Sequence, residues 1–163
     1  AYGDDIYARV MHPNTSEDDH IKADRLRRFR KKRTQLAWAF VNIMSEVHMS
    51  GNLHNDLSLD NILLHFPADE SRIYIGVCDW GMTTKATEPM KSLYTFTSEQ
   101  EMSTTLRDRW WVDPTIAYLH KRDADVEIIP RLTKTSEAYA VGKIAMRINK
   151  GNMSEDYWKL QVL

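Results

Sequence analysis

Two polar signatures bracket one stretch of this chain and limit how it can fold. The first is His54-Asn55-Asp56-Leu57-Ser58-Leu59-Asp60-Asn61, and Asp79-Trp80-Gly81 begins eighteen residues after Asn61. Between them lie an apolar run, Asn61-Ile62-Leu63-Leu64-His65-Phe66, a turn from Pro67 to Ser71, and Arg72-Ile73-Tyr74-Ile75-Gly76-Val77-Cys78. The second run is rich in β-branched and aromatic residues, and two such runs about a turn predict a β-hairpin. Two acidic residues, Asp56 and Asp79, and Asn61 are placed so that a base and two metal ligands can meet in one cleft.

The flanks of the hairpin read as helices. Leu36, Phe40, Ile43, Met44 and Val47 fall at i, i+4, i+7, i+8 and i+11, one stripe of a helix that Gly51 ends. Ahead of it, Arg25 to Arg33 holds seven basic residues in nine. That run reads as the solvated start of the helix, with a nuclear import signal or a nucleic-acid patch as the sharper readings. Phe29 is its only aromatic residue, so base stacking is not indicated. Residues 1–20 are polar, with Pro13 and Asn14 as turn residues, and 1–29 is taken as an irregular or linker segment before a folded body from 30 to 163.

After Gly81 the pattern loosens. Residues 82–108 are rich in Thr and Ser and have no period, as in a long functional loop. Trp110 to Tyr118 is aromatic around Pro114, and Trp110 and Trp111 can either dock a peptide or pack in a core. Residues 119–135 read as a charged surface insertion. Ser136 opens a second helix, with Ala138, Val141, Ala145 and Ile148 at helical spacing, closed by Asn149 to Asn152. Ser154-Glu155-Asp156-Tyr157-Trp158 suits the capped start of a third.

Composition removes several classes. The 163 residues are 42% hydrophobic and 28% charged, enough to bury a core, and the net charge of -1 is not that of a polycation. Nucleic acid is therefore not an expected partner. Cys78 is the only cysteine, so no intrachain disulfide forms, which fits an intracellular, cytoplasmic or nuclear, setting. It reads as a small strand residue rather than a reactive thiol. No apolar run approaches the ~20 residues that span a bilayer, and Ala1-Tyr2-Gly3-Asp4-Asp5 lacks the features of a signal peptide. The six histidines are scattered without a zinc-like interval.

The order helix, His-x-Asp loop with Asn five residues on, hairpin, Asp-aromatic-Gly, long loop, aromatic-Pro segment, helix resembles the C-terminal lobe of a protein kinase over residues 30–158. Arg109-Trp110-Trp111-Val112-Asp113-Pro114-Thr115 resembles the segment that ends the family's activation loop. Glu137-Ala138-Tyr139-Ala140-Val141-Gly142 resembles the opening of its central helix. The resemblance implies a mainly α lobe with a small β-hairpin carrying the catalytic and metal-binding loops. It implies an ATP-dependent phosphotransferase in which Asp56 receives the proton of a substrate hydroxyl, on a protein or a small molecule. Asn61 completes the catalytic loop, and Asn61 with Asp79 holds the Mg ions bound to ATP. His54, Trp80, Gly81 and Glu137 are then structural, with Glu137 as an acceptor for the catalytic-loop backbone.

The departures from the family pattern are specific. Asn55 replaces an Arg that pairs with activation-loop phosphate, so switching through Thr104 or Thr105 is not expected. Ser58 and Asp60 stand where protein kinases place a Lys or an Arg against the transferred phosphate. Thr115 replaces a Glu of a structural ion pair, and Glu137 replaces an Asp with a longer arm. The six glycines are isolated and form no Gly-x-Gly-x-x-Gly loop. The chain thus reads as a C-lobe without its N-lobe, expected to be inactive alone, with the missing lobe or another partner covering its cleft. The alternative is a pseudokinase-like scaffold that binds without catalysis.

Overall fold

A computed structural model describes residues 19–68, 72–87, 100, 104, 109–114, 133–150 and 161–162. The expectations for residues 1–18, most of 88–108 within the 82–108 loop, Thr115, residues 119–132 of the 119–135 insertion and the helix at 154–158 lie outside the described residues. Among the described residues the fold is mixed and dominated by two helices, α1 (Asp19–Met49) and α2 (Lys134–Lys150). Short strands among the described residues accompany them: β1 (Asn52–Leu53), β2 (Ile62–His65), β3 (Tyr74–Val77), β4 (Thr84–Lys85) and β5 (Gln161–Val162). The chain divides into two compact units. One comprises Ala1–Ile43, Leu59–Cys78 and Ala145–Leu163, the other Met44–Ser58 and Asp79–Ile144.

In the first unit, α1 begins well before the apolar stripe that announces it. Residues 19–29 are its first turns: the basic run from Arg25 is helical, as its solvated-helix reading had it, and the boundary drawn between 29 and 30 falls inside the helix. Seven basic residues near a helix N-terminus oppose the helix dipole, but tertiary anchoring outweighs that cost here. Phe29 is completely buried and extends the stripe of Leu36, Ala37 and Phe40 backwards. Arg28 donates to the carbonyls of Pro67 at 3.0 Å and Arg72 at 3.2 Å, and its guanidinium sits 5.5 Å from the Phe66 ring centre. Asp24 pairs with Arg27 at 2.6 Å, an exposed i,i+3 contact of small value. The basic run is thus a helical segment, with Arg27, Arg30, Lys31 and Arg33 exposed.

The expected hairpin is present. β2 and β3 pair antiparallel with Ile62 opposite Val77 and His65 opposite Tyr74. Ile62 and Leu64 turn into the core while His65 faces out and stacks on Tyr74. β5 adds to β2 in parallel. A 3-10 turn, Leu59–Asn61, leads into β2 and is anchored by buried Leu59. In the same unit the Thr34 hydroxyl donates to Asn149 Oδ1 at 2.8 Å, tying α1 to the end of α2.

In the second unit, α1 ends at a satisfied C-terminus. Ser50 N–H bonds the Glu46 carbonyl at 2.9 Å, and Gly51 N–H bonds that of His48 at 3.1 Å. Gly51 has φ +80, and a Cβ there would meet nothing within 4 Å. The need for glycine is therefore conformational rather than steric. Gly51→Ala is expected to cost about 1 kcal/mol, measured by urea unfolding; an unchanged midpoint would remove the left-handed cap as the reason for this glycine.

α2 buries Ser136, Glu137, Ala140, Val141, Ile144 and Ile148, a helical stripe. The stripe expected through Ala138 is rotated: Ala138 is exposed, and Ile144, which that reading passed over, is fully buried. The small Ala138 carries little transfer energy, so Ile144 sets the buried face instead. Trp111 is buried and meets Trp110 edge-on at 5.3 Å, so core packing rather than peptide docking accounts for it.

Candidate functional site

The second unit joins the two polar signatures through a ladder too short to announce itself. β1 and β4 pair antiparallel, Asn52 opposite Lys85 and Leu53 opposite Thr84, and Ala86 N–H bonds the Gly51 carbonyl at 2.8 Å. His54 and Asn55 follow β1, and Trp80 to Thr83 precede β4. An antiparallel pair therefore runs both signatures off the same end. Fully buried His54 packs on Trp80 with ring centres 4.7 Å apart. The Asp56 N–H reaches His54 Nδ1 at 3.3 Å, with Nδ1 as the acceptor.

Asn55 has φ 68, a left-handed conformation that asparagine tolerates better than most residues. The buried Asn55 amide donates to the Met82 carbonyl at 2.7 Å and to Thr84 Oγ1 at 2.9 Å. It ties the loop before Asp56 to the segment after Gly81 with neutral hydrogen bonds. The residue that replaces the family's arginine, Asn55, thus serves here as a neutral strut.

Glu137 holds the other side of that loop. Thr133 and Ser136 open α2 with a reciprocal cap. Ser136 N–H bonds Thr133 Oγ1 at 3.2 Å and Thr133 N–H bonds Ser136 Oγ at 2.8 Å. The Glu137 N–H then makes the first helical bond, to the Thr133 carbonyl at 3.0 Å. With the helix start fixed, the Glu137 carboxylate reaches the loop. Oε1 accepts the His54 N–H at 2.9 Å and Oε2 accepts the Asn55 N–H at 2.7 Å. His48 Nε2, from the last turn of α1, lies 2.8 Å from Oε1. The Glu137 side chain is 5% exposed and that of His48 18%. Charge-assisted bonds in so buried a place are among the stronger ones a fold makes.

No family model, no curated protein and no solved structure matches this chain. Its candidate site is therefore read from its own chemistry. Asp56 and Asp79 lie in the second unit, together with His54, Trp80, Gly81 and Glu137, while Asn61 lies in the first. Asp56 is half-buried at the end of the clamped loop. The Asn61 carbonyl accepts the Cys78 N–H at 2.9 Å, which carries the hairpin ladder to the residue before Asp79.

Asp79 is exposed and left-handed, φ 60 and ψ 62, at the head of the 3-10 turn Trp80–Met82. Its side chain makes no capping bond to that turn, so turn formation does not explain the carboxylate. Gly81 has ordinary backbone angles, and a Cβ there would meet Asp79 Oδ1 at a comfortable 3.6 Å. Among the described residues, no three His, Cys, Asp or Glu side chains gather as a metal cage. Nor, among them, is any helix long and apolar enough to cross a membrane.

Sequence reasoning passed over His48. The signal available was its position one turn beyond Met44 on the buried stripe of α1, where a polar side chain needs a partner. It also assigned Asn55 only a loss, the missing arginine, and not the strut its amide forms.

Proposed function

We propose that this chain is the C-terminal-lobe part of a protein-kinase-like phosphotransferase, one that moves the γ-phosphate of ATP to a hydroxyl on a protein or a small molecule. One observation carries the reading. Glu137, picked out by the family's order of motifs, is a buried carboxylate bonded to the backbone of the His54-Asn55-Asp56 loop more than eighty residues earlier. Residue spacing alone gives no reason for that contact. The exposed Asp79 carboxylate, which caps nothing, supports the same reading, because the plain turn role is not its use.

The roles follow from the resemblance. Asp56 orients the acceptor hydroxyl and takes its proton as the oxygen attacks the γ-phosphorus and ADP departs. Where the resemblance puts magnesium, Asn61 and Asp79 would hold it through an amide and a carboxylate oxygen, donor types that suit that ion. Magnesium keeps several waters and needs only one or two protein ligands beside the phosphates, so a cage of three acids is not required. When bound, it would neutralise phosphate charge. His54, packed on Trp80, and Glu137 hold the loop in place. The cleft is completed by an N-lobe or another covering partner, and the single cysteine suits an intracellular setting.

A scaffold without catalysis is favoured by Ser58 and Asp60, which leave this loop without its phosphate-contacting cation. Thermal unfolding of the whole protein against Mg-ATP separates the two. At one hundred times the dissociation constant, binding to the native state adds about 2.7 kcal/mol, so the midpoint should rise by roughly 5–10 °C. A flat titration together with no γ-phosphate transfer to any hydroxyl would leave the scaffold reading standing.

A further inference from the structure

We infer that His48 is a positioning residue for the loop that carries Asp56, acting through Glu137. The carboxylate sits between three groups. His54 N–H and Asn55 N–H take one oxygen each, and His48 Nε2 shares Oε1 with the His54 amide. A glutamate's terminal torsion is broad and sets no plane of its own. Two adjacent backbone amides orient the carboxylate from the loop side only. The imidazole, in the last turn of α1, gives Oε1 a second donor that does not belong to the loop. It thereby couples the end of α1 to the residues just before Asp56.

The loop has need of such a hold. Asn55 is left-handed at φ 68, a conformation that relaxes unless its surroundings keep it. Asn55 Nδ2 secures it toward Met82 and Thr84, and Glu137 secures the two amides behind it. If the carboxylate turns, the amides of His54 and Asn55 lose their acceptor together and the backbone direction of Asp56 is free to change. Oε1 is a carboxylate oxygen with no proton to give, so the His48 bond requires the proton on Nε2 whether the ring is neutral or charged. Only the naming of Asp56 as a base rests on the phosphotransfer reading; the hold of His48 on the loop does not.

Amide hydrogen exchange on the folded chain tests this without needing activity. His48→Phe keeps a ring and removes the donor, while His48→Gln returns an N–H at similar reach. His48→Phe should speed exchange at the His54 and Asn55 amides by roughly tenfold, the loss of one charge-assisted bond. The Cys78 amide, bonded to Asn61, should change by less than about twofold in the same sample, a small fraction of that bond's worth. His48→Gln should bring the two loop amides back to within about threefold of the original, since the donor is restored. Unchanged exchange at His54 and Asn55 overturns the inference, and so does equal acceleration at all three amides, which is general loosening. If His48→Phe does not fold, nitrogen-15 spectra of the unaltered imidazole decide: a proton-bearing Nε2 is expected, and a bare, pyridine-type Nε2 overturns the bond. A protein that transfers no phosphate yet shows the selective exchange pattern would lose the enzymatic reading and keep this one.

Discussion

Glu137→Ala should destabilise the fold by about 3–5 kcal/mol, measured as the change in unfolding free energy in urea. The substitution removes the acceptor of two buried backbone donors at once, the N–H groups of fully buried His54 and of Asn55. Each orphaned donor costs about 1–3 kcal/mol, and His48 loses its partner as well. Against a typical total of 5–15 kcal/mol, that is a large share of the stability, and a fold at the lower end of the range would unfold. Glu137→Gln should be nearly as harmful, because its NH₂ group must face one of the three donors. Glu137→Asp keeps the charge but is one carbon–carbon bond shorter, so it can meet one side of the clamp and not both. An intermediate loss is expected from it. Asp60→Asn, at an exposed position, is the control and should stay within about 0.5 kcal/mol. A loss under about 1 kcal/mol for Glu137→Ala would mean that water replaces the carboxylate and that the clamp does not hold the loop.

How much of this arrangement is legible in the sequence depends on the range of the interaction. The β2–β3 hairpin is legible because the two runs and their turn are local, and β-branched and aromatic residues suit a pleated surface. Gly51 is legible for the same reason: a left-handed helix end is a property of one residue and its turn. The start of α1 is not, because charges that disfavour a helix N-terminus surround Phe29, and its burial is a tertiary fact. β1 and β4 have two residues each, too few to show a period of two, yet they bring His54 against Trp80. The buried face of α2 was set by Ile144 and Glu137 rather than by Ala138, because size and charge outweigh regular spacing. Glu137 itself was reachable only through the order of motifs along the chain. His48 carried no such marker, and its role exists only because α1 ends where Glu137 arrives.

For phosphate transfer itself, Asp56→Asn is expected to lower the rate by roughly 100- to 10,000-fold, the usual worth of a positioned base, with stability changed by less than about 1 kcal/mol. Asparagine has the shape of aspartate and can still orient a hydroxyl, but it cannot take the proton. The backbone bond from residue 56 to His54 Nδ1 does not involve the altered atoms, and neither does the Glu137 clamp. The loss should therefore fall on kcat and leave the dependence on Mg-ATP concentration in place. Asp79→Asn should do the reverse in part, raising the magnesium requirement, because a neutral amide is a poorer ligand than the carboxylate it replaces. The pair of results matters more than either alone. A fall in rate from both variants, with distinct metal dependence, assigns a base and a ligand. An Asp56→Asn protein that transfers phosphate as before removes Asp56 from the chemistry. The clamp of Glu137 and His48 would then be holding a loop for its shape, which is what a scaffold needs and an enzyme does not.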